Sequence, residues 1–338
     1  MELVRIDSPS GHEGKVRSYV SDCLSKLGFF VDVDKTGNLF GRRGRGQSVL
    51  LSAHLDTVEP GRGIKAKIKN GFIVSSGETI LGADNKVAVA SILEALENLD
   101  EETSFEVIFS VREETDGGIN SFGFERLKSK FGLAADTGLP LGNIVLSAPW
   151  IEDFEVEVVG IAAHASVPEL GTNALVKAVN SLKKFNLGKV SGQTTTNIGV
   201  IQGGYATNTV PDKVVLKGEI RSLSKSEFHA QKRKLDRAFS KSGRVKHQFY
   251  CPGYALGQND LFVAGFKKLL SSTKILPKTL QSFGGSDANA FNQNGLKVLN
   301  IGDGVENIHT TKEGIKIKDL VTLSEIFLKF CLMSAKIA

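Results

Sequence analysis

Short apolar runs and amphipathic stripes alternate along the chain, and their two periods predict different elements. Val49-Leu50-Leu51-Ser52-Ala53 has the continuous hydrophobicity of a strand buried on both faces of a parallel sheet, and it stops at His54-Leu55-Asp56. Gly132-Leu133-Ala134-Ala135 is a second such run, ending at Asp136, and Val298-Leu299-Asn300-Ile301 is a third. Phe105, Val107, Phe109 and Val111 alternate as a strand that runs out at Glu113-Glu114. Helical stripes fall between these runs. Val16, Val20, Cys23, Leu24 and Leu27 predict a helix ending near Gly28, with Ser10-Gly11-His12-Glu13 as its capping box. Val89, Ile92, Leu93 and Leu96 mark a second helix opening after Gly82-Ala83-Asp84-Asn85-Lys86. Two later stripes run through Phe262, Phe266, Leu269 and Leu270, and through Leu320, Leu323, Phe327, Phe330 and Cys331.

The pattern changes in the middle. Phe154, Val156 and Val158 alternate with Asp153, Glu155 and Glu157 as a half-exposed strand, Leu175, Ala178, Val179 and Leu182 form a helical stripe, and strands follow at 198–201 and 214–220. A helix over 228–239 completes a small α+β unit with an antiparallel sheet. The predicted fold class is therefore α/β: a catalytic domain with a mixed, mostly parallel sheet flanked by helices, interrupted by an inserted α+β domain. The expected division is 1–149 with 257–338 for the first and 150–256 for the insert.

Composition bounds this picture. With 338 residues, 41% hydrophobic and 23% charged, the chain has the profile of a globular protein of two domains. The net charge of +5 comes from scattered lysines and arginines, so no nucleic-acid footprint is expected. Cys23, Cys251 and Cys331 are widely spaced and odd in number, which makes neither a disulfide framework nor a thiolate metal site and favours a reducing cytoplasm. The first residues lack a signal-peptide core and the apolar runs fall short of a membrane span, so a cytoplasmic location without membrane partners is expected.

The polar residues at the predicted strand ends change the picture most. His54, Asp56, Asp84, Glu113, Glu114, Asp136 and His309 form a set of imidazoles and carboxylates without a thiolate. Such a set suits Zn²⁺, with Mn²⁺ and Co²⁺ as the other candidates, and is large enough for two ions sharing a bridging carboxylate. Taken singly, each has an ordinary explanation: a surface turn for His54-Leu55-Asp56, a solvated helix start for Glu113-Glu114, an N-cap for Asp84, a loop histidine for His309. Their joint placement outside the carboxyl ends of strands, where α/β sheets bind ligands, is what makes them a candidate site.

Seven blocks then carry a resemblance, in order and nearly end to end. They are Ser8-Pro9-Ser10-Gly11-His12-Glu13, Ala53-His54-Leu55-Asp56-Thr57-Val58, Gly82-Ala83-Asp84-Asn85-Lys86, Glu113-Glu114, Ala135-Asp136-Thr137-Gly138, Gly203-Gly204 with Asn208-Thr209-Val210-Pro211-Asp212, and Gly284-Gly285-Ser286-Asp287-Ala288. Over roughly residues 5–333 the chain resembles the di-zinc metallopeptidases that include peptidase T, carboxypeptidase G and aminoacylase, and most of all the peptidase T-like branch. The resemblance implies that His54 and Asp136 bind one metal, Glu114 and His309 the other, and Asp84 bridges both. It implies Glu113 as the general base acting on a metal-bridging water, and Asp56 as the acceptor of the second ring N–H of His54. It also implies a cis peptide at Asp84-Asn85, although Asn85 stands where the family usually has Asp, and Val87-Ala88 replace a usual small glycine.

In the insert, Gly160-Ile161-Ala162-Ala163-His164-Ala165-Ser166 is similar to the family block whose histidine reaches across a dimer to steady the oxyanion, and Asn208 and Arg221 match substrate-holding positions. Arginine suits a carboxylate because its fork makes two parallel bonds. His12, His229 and His247 are read as structural or surface residues. Only 30 residues separate His54 from Asp84 (84 − 54), so the insert lies in the long gap after Asp136, as in family members that dimerise through the small domain. A homodimer through the insert is expected. Asp rather than Glu at position 136 resembles the aminopeptidases of the group and favours release of an N-terminal residue from a small peptide such as a tripeptide. A carboxypeptidase or N-acyl-amino-acid deacylase on the same frame, and a catalytically silent metal-binding dimer, are the other readings.

Overall fold

Four parallel strands put the candidate residues in one place. Val49–His54 pairs in parallel with Phe105–Ser110 on one side and Phe131–Ala135 on the other, and Phe131–Ala135 pairs in parallel with Lys297–Ile301. All four therefore end on the same edge of the sheet, at His54, Ser110, Ala135 and Ile301. The computed structural model that shows this describes residues 1–46, 48–100 and 103–334. Val49–His54 and Phe105–Ser110 are buried along their whole length, as strands covered on both faces must be.

The mixed character of this sheet comes from antiparallel neighbours. Leu39–Arg43 pairs antiparallel with Phe105–Ser110 and with Phe30–Val33, and Asn143–Ala148 pairs antiparallel with Lys297–Ile301. The helices Gly14–Lys26, Ala83–Glu97, Leu261–Ser272 and Ile317–Ser334 pack their apolar stripes into one core with the strands, with Val20, Ile92, Phe266 and Phe327 all buried. A separate small sheet joins Phe72–Ser75 to Ala66–Lys69 and to Gly314–Lys316.

Contacts divide the chain into two compact units, Met1–Ser147 together with the chain from Ala255 onward, and Ala148–Tyr254. The second unit is an antiparallel sheet in the order Gly188–Lys189, Thr194–Gly203, Lys213–Ser222, Trp150–Val159, Gly243–Cys251. Helices Ala174–Leu182 and Lys225–Phe239 share with it a core of its own, built on Phe154, Val156, Leu216, Phe228 and Phe239. No helix among the described residues is long and apolar enough to cross a membrane.

The capping box predicted at Ser10 and Glu13 does not form. The helix begins at Gly14 with Glu13 as N-cap and no side-chain cap bond. Both polar groups have other partners: Ser10 Oγ donates to the distant Asp56 Oδ2 at 2.5 Å, and Glu13 Oε1 accepts the N–H of the neighbouring Gly11 at 2.7 Å and of the distant Arg112 at 3.0 Å.

Candidate metal centre

Turns after the parallel strands, together with the turns bearing Asp84 and His309, place the side chains. Asp84 lies just inside the helix Ala83–Glu97, where the backbone is non-helical at Asp84 and Asn85 and the peptide between them is cis. Gly82 before it has φ +66°, and a Cβ there would stand 3.1 Å from Thr57 Cγ2 and 3.3 Å from Ile64 Cδ1, so this tight turn requires glycine. Glu113 and Glu114 open a one-turn helix, Glu113–Asp116, behind Arg112 at φ +57°. His309 itself has φ +61°.

These turns bring the five predicted metal ligands and Glu113 into overlapping groups: His54, Asp84 and Asp136; His54, Glu113 and Glu114; and Asp84, Glu114 and His309, each with its ligand atoms within 4.8 Å of one another. His54 Nδ1 lies 3.0 Å from the Asp56 carbonyl oxygen, which can only accept, so Nδ1 carries the proton. The Asp56 carboxylate also lies near, with Oδ1 at 3.3 Å from Nδ1. Nε2 then faces Asp84 Oδ1 at 3.3 Å and Asp136 Oδ1 at 3.7 Å. A neutral imidazole nitrogen and two carboxylate oxygens are all acceptors, so this juxtaposition calls for a cation among them or for an imidazolium. His309 Nε2 donates to Glu114 Oε1 at 2.8 Å and lies 3.4 Å from Asp84 Oδ2. The two oxygens of Asp84 are thus divided between the two histidines.

Donors about 2.1 Å from a tetrahedral ion stand about 3.4 Å from each other. The Asp84 separations of 3.3 and 3.4 Å match that spacing, and the donor set fits two divalent cations. The cluster is graded in exposure: the His54 side chain is 1% exposed and that of His309 44%, so the group opens to solvent on the His309 side.

Electrostatics among the protein groups alone follow from this crowding. Burial would push the His54 imidazole down, but bonds with Asp136, Asp56 and Asp84 outweigh it and hold its pKa well above the usual value. His309 is pushed up to about 10 by Asp84 and Glu114. Burial raises Glu113 well above the carboxylate range, with the Asp136 charge adding to it, and raises Asp136 to about 6. Asp84 goes the other way: burial opposes it, but the two histidines hold it well below the usual range.

Several residues outside the predicted set hold these turns. Asn300, at the end of its parallel strand, accepts the Asp136 N–H at 2.9 Å and donates to the Asp136 carbonyl at 2.8 Å. Asp303 accepts the amides of Thr137 and Gly138 at 2.7 and 2.8 Å, and Glu313 accepts those of Leu81, Gly82 and Asp84. Asp287 is buried beside Ser110, whose hydroxyl donates to it. A strand-end position was the available signal for Asn300 and Asp303; nothing local marks Glu313.

The other predicted residues lie in the second unit. His164 is exposed in the two-residue strand Ala163–His164, pairs in register with Thr209, and bonds to Ser166 Oγ through Nδ1 at 2.7 Å. Asn208 is its neighbour across the pair, accepting the Ala165 N–H at 2.8 Å on its carbonyl. The Arg221 fork is engaged by Glu219, Nε to Oε1 at 2.9 Å and Nη2 to Oε2 at 2.8 Å.

Comparison with known proteins places this arrangement. Residues 151–246 match the family model of the peptidase dimerisation domain. The chain is 35% identical to the uncharacterized protein YqjE of Bacillus subtilis (strain 168), over 99% of this chain and 97% of that one. The chain belongs to the M20 family of metallopeptidases. Among solved members, the aminopeptidase PepT of Bacillus cereus superposes with a TM-score of 0.89 at 34% identity, covering 99% of this chain and 96% of the other. A tripeptidase of Staphylococcus aureus superposes with a TM-score of 0.93 at 31% identity and the same coverage. The M20 fold accounts for the mixed sheet and for the inserted α+β unit.

Proposed function

We propose that this M20 peptidase is a dinuclear zinc aminopeptidase that releases the N-terminal residue of small peptides, tripeptides in particular. The division of the Asp84 carboxylate between His54 and His309 is the observation that carries the dinuclear reading. His54 and Asp136 would hold one ion, Glu114 and His309 the other, with Asp84 between them. Two bound divalent cations supply Lewis acidity, which lowers the pKa of water and polarises a carbonyl oxygen. Glu113 is the remaining carboxylate of the cluster. Buried and pushed toward its protonated form, it is suited to take the proton of the attacking water and pass it to the leaving amine.

The aminopeptidase direction rests on Asp136 and on the likeness to an aminopeptidase and a tripeptidase at over 30% identity. A carboxylate-rich pocket also suits a substrate ammonium. In the insert we assign His164 to the oxyanion of the partner's substrate, and Asn208 and Arg221 to the substrate backbone and carboxylate. The insert is also our choice for a homodimer contact. The test is Zn²⁺ content by mass spectrometry together with a panel of free and N-blocked di- and tripeptides. Two Zn²⁺ per chain and cleavage of free tripeptides are expected. Cleavage of blocked substrates alone would replace the aminopeptidase by a deacylase or carboxypeptidase.

A further inference from the structure

The turns that carry two of the three residues in the Asp84–Glu114–His309 group are tied together by a residue outside the predicted ligand set. Glu313 is 1% exposed. Its Oε2 accepts the N–H groups of Leu81 and Gly82, both at 2.8 Å, and its Oε1 accepts that of Asp84 at 3.0 Å. Its own N–H donates at 3.0 Å to the carbonyl of Thr310, the residue after His309. Thr310 Oγ1 in turn donates to the Asn307 carbonyl at 2.8 Å and accepts the Lys312 N–H at 3.2 Å, so the turn carrying His309 is bonded within itself. Directly after Glu313, Gly314–Lys316 is fixed against Phe72–Ser75, and the Ile317 N–H donates to Gly71 O at 3.0 Å. The turn bearing Asp84 and the turn bearing His309 thus share one hydrogen-bonded link, although 225 residues (309 − 84) separate them in the chain.

A buried carboxylate that merely satisfies a turn would have the same hydrogen bonds, and Asp303 is the internal comparison. It accepts the amides of Thr137, Gly138 and Val305, and so holds the turn after Asp136 instead. The two acids differ in which donor they hold, and that difference can be measured.

We propose that Glu313 is a positioning residue that couples the Asp84 turn to His309, so that Zn²⁺ held by Asp84, Glu114 and His309 depends on it more than Zn²⁺ held by His54, Asp84 and Asp136. The inference rests on the dinuclear reading above. It has a chemical basis in the narrow tolerance of metal–ligand distances, about ±0.2 Å, which a loosened turn exceeds. In Glu313→Gln the amide NH₂ would face backbone N–H groups that need an acceptor, so one edge of the link opens while the volume is kept.

The test is competition with a Zn²⁺-binding dye in two single-site backgrounds. His54→Ala leaves the Glu114–His309 site, and His309→Ala leaves the His54–Asp136 site. Adding E313Q should weaken Zn²⁺ binding about 10–100-fold in the first background, where both the Asp84 and the His309 turns loosen, and by a severalfold smaller factor in the second, where only Asp84 does. D303N should show the opposite asymmetry. Equal losses in both backgrounds, or none, overturn the proposal. Melting of the metal-free variants checks folding, and if E313Q does not fold, E313D, which keeps both acceptors but withdraws them by one methylene, must show the same asymmetry. A wild-type chain that binds fewer than two Zn²⁺ overturns the dinuclear reading itself, which is a distinguishable outcome.

Discussion

Asp56 accepts the backbone N–H of Glu113 on Oδ1 at 3.0 Å, so the acid beside the His54 ring also holds the proposed general base by its own amide. Its Oδ2 accepts the Glu114 N–H at 3.1 Å and the Ser10 hydroxyl at 2.5 Å. One fully buried carboxylate therefore touches the two proposed ligands His54 and Glu114 and the proposed base Glu113.

Substitution of Asp56 should consequently damage binding and chemistry together. Asp56→Asn keeps one acceptor and turns a donor toward a backbone N–H. We expect Zn²⁺ affinity to fall about 10–100-fold, with kcat also reduced and only partly restored by excess Zn²⁺. Full restoration would mean that Asp56 serves the histidine alone. Dye competition and tripeptide kinetics at two Zn²⁺ concentrations separate these outcomes.

Glu113→Gln isolates the base. The amide cannot take a proton, while the backbone bond to Asp56 persists. Turnover should drop about 10²–10⁴-fold with two Zn²⁺ retained by mass spectrometry. Wild-type turnover in this variant would remove Glu113 from the mechanism.

Metal removal should make stability strongly pH-dependent, and the sign follows from the directions of the shifts. Asp136 is pushed up from 3.8 to about 6, and Asp287 and Asp303 from 3.8 to about 7, mainly by burial. Such raised acids contribute stability fully below pH 3.8, and that contribution is lost as pH rises through about 6–7. His309, raised from 6.5 to about 10 by its carboxylate partners, contributes fully below pH 6.5 and loses the contribution as pH rises toward 10. Both effects have the same sign, so the chelated protein should melt at steadily lower temperature from pH 5 to pH 9. Zn²⁺ held at Asp136 and His309 would replace the protons there, so its stabilisation, ~4 kcal/mol per site at a thousandfold excess over Kd, should grow over the same interval. Parallel melting curves with and without chelator would contradict the electrostatic account.

Much of this centre is legible in the sequence because its donors follow apolar runs. His54 closes, and Glu113, Glu114 and Asp136 come just after, a strand whose burial is written in its composition, and parallel pairing places those ends on one edge. Asp84 and His309 have no such run before them; family-like motifs mark Asp84 and a family position marks His309. The supports are invisible for a physical reason: Glu313, Asn300 and Asp303 act through backbone amides more than 160 residues away, and an amide leaves no trace in residue identity. The misplaced capping box at Ser10 has the same origin, since a local pattern cannot show that Asp56 competes for the hydroxyl. The outer strands Phe30–Val33, at the sheet edge, and Leu39–Arg43, next to it, carry no predicted element because the charged residues within them break the alternation.

The proposed dimer has a definite surface to test. In the second unit Gly188–Lys189 pairs with Thr195 and Thr196, so among the described residues the stretch 197–203 of Thr194–Gly203 is strand-paired on one side alone. That open edge carries Ile201 at 56% exposure, and the helix Ala174–Leu182 presents Val176 at 54% with Leu175 and Val179 also exposed. Unpaired edges and apolar patches are liabilities in a monomer unless something covers them. A second copy would satisfy both at once, by strand pairing at the edge and burial along the helix. A charge in the buried patch would meet desolvation with no partner, whereas in the monomer the same side chain stays in water. Ile201→Glu and Val176→Glu should therefore convert a dimer to a monomer in light scattering while leaving the melting temperature of the monomer nearly unchanged. If both variants remain dimeric, the contact lies elsewhere on the chain, and if the wild type is already monomeric at micromolar concentration, the homodimer reading fails.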